Sequence, residues 1–77
     1  MSRSHANDVG ELRPIVATVN ETMAVLKIGR EKIYQLLKSG ELESYRDGSS
    51  RKILWKSIDS YVERRLKEEA ERRARAA

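Results

Sequence analysis

Residues 19–42 read VNETMAVLKIGREKIYQLLKSGEL, and the spacing of their apolar side chains decides what this chain can fold into. After Gly29, residues Ile33, Leu36 and Leu37 stand at i, i+3 and i+4 and so share one face of a helix over about residues 30–38. The opposite side offers Glu31, Lys32, Gln35 and Lys38, with Arg30 in the first turn. Such a row of long hydrogen-bonding side chains is more than a short helix needs for its own stability, which suggests a surface built to touch something. Upstream, Thr18-Val19-Asn20-Glu21 fits the capping box, in which the Thr18 hydroxyl accepts from the Glu21 amide and the Glu21 carboxylate accepts from the Thr18 amide. A first helix therefore starts at Val19, with Val19, Met23 and Leu26 as its buried stripe and Thr22 beside them, and breaks at Lys27-Ile28-Gly29. Downstream, Ser39-Gly40 stops the second helix, because glycine takes the left-handed conformation without a Cβ penalty, and Leu42 folds back as an apolar anchor.

Two helices of about 8 to 9 residues, joined by a turn of about 3 to 4 residues containing glycine, match the helix-turn-helix, whose second helix lies in the DNA major groove. Ile28 is placed to plug the corner between them. Before the first helix, Ile15-Val16-Ala17 reads as a plug, or at most a very short strand. Residues 1–14 are polar and mixed in charge and read as a flexible arm in which Arg3 and Arg13 are solvated.

Beyond Leu42, Glu43-Ser44-Tyr45-Arg46 and Arg51-Lys52-Ile53-Leu54 flank Asp47-Gly48-Ser49-Ser50, and Asp-Gly between short extended segments signals a hairpin. The reading turns Tyr45 and Ile53 towards the helices and exposes Arg46, Ser49, Ser50, Arg51 and Lys52, a basic wing suited to a sugar-phosphate backbone or a minor groove. From Trp55 the helical period returns, with Trp55, Ile58, Val62 and Leu66 on one stripe and Tyr61 at its edge, and Trp55, Ile58 and Val62 are expected to pack on the first two helices. Past Leu66 the apolar stripe holds only alanine, while Glu68 to Arg72, Glu69 to Arg73 and Glu71 to Arg75 are spaced at i, i+4, so residues 67–77 read as a solvated helical extension.

Seventy-seven residues make one small domain with a marginal core. The absence of cysteine and the single His5 leave that core without disulfide or metal reinforcement, so no cofactor and no metal site are expected. No apolar run approaches a membrane span and the opening residues carry no secretory signal, which places the chain in the cytoplasm. The net charge is +4, and residues 27–56 alone carry eight bases against four acids, so the whole excess sits on the second helix and the wing. That is the footprint of a polyanion binder. An enzyme is improbable: His5 sits in the arm, and no Ser or Thr has a nearby base.

The order of these elements resembles the excisionase family, small winged helix-turn-helix proteins related in shape to MerR-type regulators. The likeness covers about residues 15–66 and is carried by Thr18-Val19-x-Glu21, Ile28-Gly29-Arg30-x-x-Ile33-Tyr34-x-Leu36-Leu37, Ser39-Gly40-Glu41-Leu42, the Gly48 turn with its basic return strand, and Ile58-Asp59-Ser60-Tyr61-Val62. Lys27 stands where a small turn residue is usual, Gly29 where Ser or Thr caps the second helix, and Leu54 where Pro is frequent. The resemblance implies a mainly α fold with a small β-hairpin: helices at about 19–26, 30–38 and 55–72 and a wing at about 43–54. It implies a non-catalytic recombination directionality factor of a bacteriophage or integrated element, acting in a bacterial host. Such a protein binds double-stranded DNA beside an attachment sequence, bends it, and directs a site-specific integrase towards excision. Adjacent protomers would associate on the DNA. A transcriptional regulator with the same domain, and a protein-interaction adaptor working through the charged last helix, are the alternatives.

Within that frame Arg30 is placed to donate a bidentate pair to guanine or to grip a phosphate, and Gln35 to pair with adenine N6 and N7, with Lys32 about one turn from it. Lys38, Arg46, Arg51 and Lys52 are expected on phosphates, and Ser49 and Ser50 at the wing tip. Tyr34 matches a family tyrosine that either sends its hydroxyl to a phosphate or packs in the core alone. Glu31 is expected to stabilise the N-terminus of its own helix.

Overall fold

The computed structural model describes residues 15–76, so the arm expected over residues 1–14 lies outside the described residues. The elements run β1 (Val16–Ala17), α1 (Val19–Leu26), α2 (Arg30–Ser39), β2 (Ser44–Asp47), β3 (Ser50–Leu54) and α3 (Trp55–Ala76). This is a mainly helical, winged helix-turn-helix arrangement.

The caps form as the sequence dictates. The Thr18 hydroxyl accepts from the Glu21 amide at 3.0 Å, and the Glu21 carboxylate accepts from the Thr18 amide at 2.9 Å. One turn on, Thr22 is fully buried, a position its polar group tolerates because the hydroxyl donates to the Thr18 carbonyl at 2.8 Å. The turn to α2 passes through Lys27, left-handed at φ 59°, and then Gly29, which caps α2 without a side-chain hydrogen bond. A lysine in that conformation costs about 1–2 kcal/mol relative to glycine, partly offset by the freedom glycine adds to the unfolded chain. Because Lys27 is exposed, Lys27→Gly is expected to raise the unfolding free energy by about 0.5 kcal/mol in urea denaturation; a loss of stability would show that the Lys27 side chain supports the turn. At the far end of α2, Gly40 is left-handed at φ 86°, which lets the amides of Glu41 and Leu42 reach the Leu36 carbonyl and drops Leu42 into the core.

Three strands pair antiparallel in the order β1-β3-β2, with Val16 opposite Leu54, Ala17 opposite Ile53, and Ser44, Tyr45, Arg46 and Asp47 opposite Ile53, Lys52, Arg51 and Ser50. Within the Ile15–Ala17 run, Val16–Ala17 is thus the very short strand that the sequence allowed at most. It gives the wing a third strand that anchors it to the helices. The hairpin closes with Gly48 and Ser49, and the positive φ falls on Gly48, the first loop position, as a type II′ turn requires. That register overturns one expectation. Tyr45 faces the side of the sheet that carries Lys52, opposite to Ile53, and is half exposed.

The core gathers Ala17, Val19, Ile33, Leu36, Leu42, Ile53 and Ile58, with Met23, Leu26, Ile28, Leu37, Trp55 and Tyr61 packed around them. Ser57 locks α3 to the wing: its hydroxyl donates to the Leu54 carbonyl at 2.7 Å and accepts from the Glu43 amide at 3.0 Å. The expected apolar stripe of α3 ends early, since Ile58 is buried but Val62 and Leu66 are exposed. The core takes in only Trp55, Ile58 and Tyr61 of α3, its first two turns, and the helix then runs on to a length of about 33 Å. Farther along, α3 continues to Ala76, and its ion pairs include Arg64 with Glu41 and, within the helix, Arg65 with Glu68 and Arg72 with Glu69, these two at i, i+3 where i, i+4 was expected.

Candidate nucleic-acid interface

Helix α2 has two distinct edges. At about 100° per residue, burying Ile33 and Leu36 turns Glu31, Gln35 and Lys38 outward as a crest, puts Arg30 and Tyr34 on one flank, and sends Lys32 to the other. The Arg30–Tyr34 flank faces the wing. Between them lies an open cleft of about 470 Å³, walled by Arg30 and Tyr34 on one side, Arg46, Ser49, Ser50 and Arg51 on the other, and the start of α1 at its floor. Small-molecule pockets of similar size, roughly 300–1,000 Å³, are lined mainly by apolar groups. Here three guanidinium groups dominate and Val19 is the one aliphatic side chain. The arrangement suits an extended polyanion.

The strand register explains how the two wing arginines arrive there. Ser44, Arg46, Arg51 and Ile53 share one face of the hairpin, so the face that buries Ile53 over the core carries Arg46 and Arg51 out over the cleft. Arg46 and Arg51 are directly opposite each other, and like charges so placed destabilise a hairpin unless something neutralises them. Two hydrogen bonds aim the arginines: Arg30 Nη2 donates to Asn20 Oδ1 at 2.7 Å, and Arg51 Nη1 donates to Ser44 Oγ at 2.8 Å.

Of the ten residues singled out in the sequence, Arg30, Tyr34, Arg46, Ser49, Ser50 and Arg51 come together in the cleft, and Gln35 and Lys38 lie on the adjoining crest. Lys32 takes the far flank of α2, and Lys52 projects from the opposite face of the sheet beside Tyr45. Tyr34 is 44% exposed, so it serves the cleft and not the core. Asn20, Thr18 and Ser44 were not foreseen. Asn20 reads as an ordinary first-turn residue, and only the fold brings it against Arg30, ten positions on. Among the described residues, no helix is long and apolar enough to cross a membrane.

Comparison with known proteins agrees with this geometry. Residues 18–66, from the N-cap of α1 into α3, match the family described as a helix-turn-helix domain. A protein named "Excisionase" from Streptomyces ambofaciens is 33% identical over 55 residues, which make up 71% of this chain and 89% of that protein. The chain belongs to the excisionase family. A second relative of this excisionase-family chain, named "Probable excisionase", comes from Saccharopolyspora erythraea and is 39% identical over 56 residues, or 73% of the chain. The chain spans only 57% of the length of that relative. No solved structure matches. Excisionases with a helix-turn-helix domain are non-enzymatic regulatory proteins.

Proposed function

We propose that this chain is a DNA-binding excisionase in which α2 enters the major groove, the wing follows the neighbouring backbone or minor groove, and the cleft between them straddles the intervening sugar-phosphate strand. The observation that carries this reading is the convergence of Arg30, Arg46 and Arg51 on one cleft, two of them directly opposite each other. A phosphate between the walls relieves that repulsion and receives charge-assisted hydrogen bonds from both sides. On the crest, Gln35 reads an adenine edge and Lys38 meets the next phosphate, while Lys32 and Lys52 touch more distant backbone. Residues 15–66 do this work, and residues 67–76 form a charged helical extension.

The names of the relatives support a role in excision, and the reading adds that the chain binds beside an attachment sequence, bends the duplex and directs a site-specific integrase. One protomer with about six phosphate contacts binds weakly and loses affinity with a logarithmic salt slope of about −0.9 per contact. Function therefore calls for several protomers side by side on the DNA of a bacterial host. The test is an excision assay with a site-specific integrase and its integrated element from the same source, run with and without this protein. Excised product that depends on the protein supports the proposal. Unchanged excision with altered transcription from an adjacent promoter would replace it by a transcriptional regulator, and a failure to bind duplex DNA at low salt would replace it by an adaptor.

A further inference from the structure

Five arginines among the described residues fall into two groups by what holds them. Three on α3 rest on carboxylates: Arg64 on Glu41 at 3.5 Å, Arg65 on Glu68 at 2.9 Å, and Arg72 on Glu69. In the cleft the supports are uncharged, an amide oxygen for Arg30 and a hydroxyl oxygen for Arg51, at 2.7 and 2.8 Å. A carboxylate fixes a guanidinium and cancels its charge together. A neutral oxygen occupies one of the five N–H donors, fixes the plane of the fork, and leaves the positive charge intact.

Asn20 sharpens the contrast. It is the second residue of α1, in the first turn, where the helix dipole favours an acidic side chain and where asparagine is a mediocre helix former. Local stability argues for Asp at this position. An Asp there would still accept from Arg30, but it would neutralise one wall of the cleft.

We infer that Asn20 and Ser44 are positioning residues of the DNA-binding site, holding Arg30 and Arg51 by uncharged oxygens on its two walls so that each meets a backbone phosphate with its orientation fixed and its charge undiminished. Arg30 is on this account a phosphate clamp and not a reader of guanine. The inference rests on the proposed DNA-binding function and adds to it two residues that touch no DNA themselves.

The test measures binding of the full chain to a short random-sequence duplex by fluorescence anisotropy over a range of salt, for Asn20→Ala, Asn20→Asp, Arg30→Ala and the Asn20→Ala/Arg30→Ala double variant. Asn20→Ala is expected to weaken binding about three- to tenfold. Asn20→Asp is expected to weaken it at least as much and to reduce the salt slope by about 0.9, while its melting temperature equals or exceeds that of the parent. The double variant should bind like Arg30→Ala, because Asn20 acts through Arg30. Ser44→Ala and Arg51→Ala should show the same dependence. Parental affinity in Asn20→Asp, or an Asn20→Ala effect that persists in full without Arg30, would overturn the inference while leaving DNA binding in place. If the parent itself shows no salt-sensitive binding, the DNA-binding function falls and the inference falls with it.

Discussion

Replacing Arg30, Arg46 and Arg51 together by alanine is expected to lower affinity for duplex DNA by about a hundredfold or more. Each guanidinium contributes charge-assisted hydrogen bonds worth about 1.5–3 kcal/mol, and overlap among three neighbours makes the total smaller than the sum. The salt slope should shrink by about 0.9 for each lost contact. Folding stability should hold or rise slightly, since the Arg46–Arg51 repulsion disappears. The matched control replaces Arg64, Arg65 and Arg72, which removes the same formal charge from α3. There the guanidinium groups sit on Glu41, Glu68 and Glu69 and none lines the cleft, so affinity should stay within about threefold of the parent. Equal losses in the two triple variants would mean that net charge, and not the cleft, carries binding.

Ile33→Ala should be among the most damaging single substitutions to stability. Ile33 is fully buried at the contact of α2 with the core, and removing its side chain costs about 2–5 kcal/mol. A domain of this size, with no cysteine for a disulfide, rarely draws more than about 3–5 kcal/mol from its core. The variant should therefore lose most of its cooperative unfolding transition when followed by circular dichroism in urea, and lose DNA binding as a consequence. Leu66→Ala also shortens an aliphatic side chain, yet Leu66 is 65% exposed, so its effect should stay within about 0.5 kcal/mol. A Leu66→Ala effect comparable to that of Ile33→Ala would mean that α3 is covered in solution along its outer length.

The two helices and their corner were legible because their signals are local. The Thr18–Glu21 box, the i, i+3, i+4 spacing of Ile33, Leu36 and Leu37, and the Gly40 stop each act over one turn of chain. The wing was legible as a hairpin but not in its facing. Which side chains point inward depends on the parity of the loop: an even number of loop residues keeps Tyr45 on the side of Lys52, and only an odd-numbered loop would carry it to the side of Ile53, which is the slip that assigning Tyr45 to the core requires. The pairing of β1 with β3 joins distant residues, and no periodicity in Ile15-Val16-Ala17 announces it. The stripe of α3 misled for a related reason: Val62 and Leu66 keep the helical period, but the core reaches along α3 only as far as Tyr61.

Site residues followed the same division. The types Arg30, Tyr34, Arg46 and Arg51 were readable from charge and motif, whereas their convergence and the separation of Lys32 and Lys52 depend on helix phase and strand register. Asn20 and Ser44 carry no signal of their own, since their roles exist only through the arginines they support.

The most direct test of the central claim, that the cleft and crest of α2 form the face that meets DNA, is amide chemical-shift mapping during titration with a short duplex. The account predicts shifts concentrated in Arg30–Lys38 and Arg46–Arg51 and at Asn20, with Val62–Ala76 unmoved. Shifts confined to α3, with the cleft silent, would contradict it.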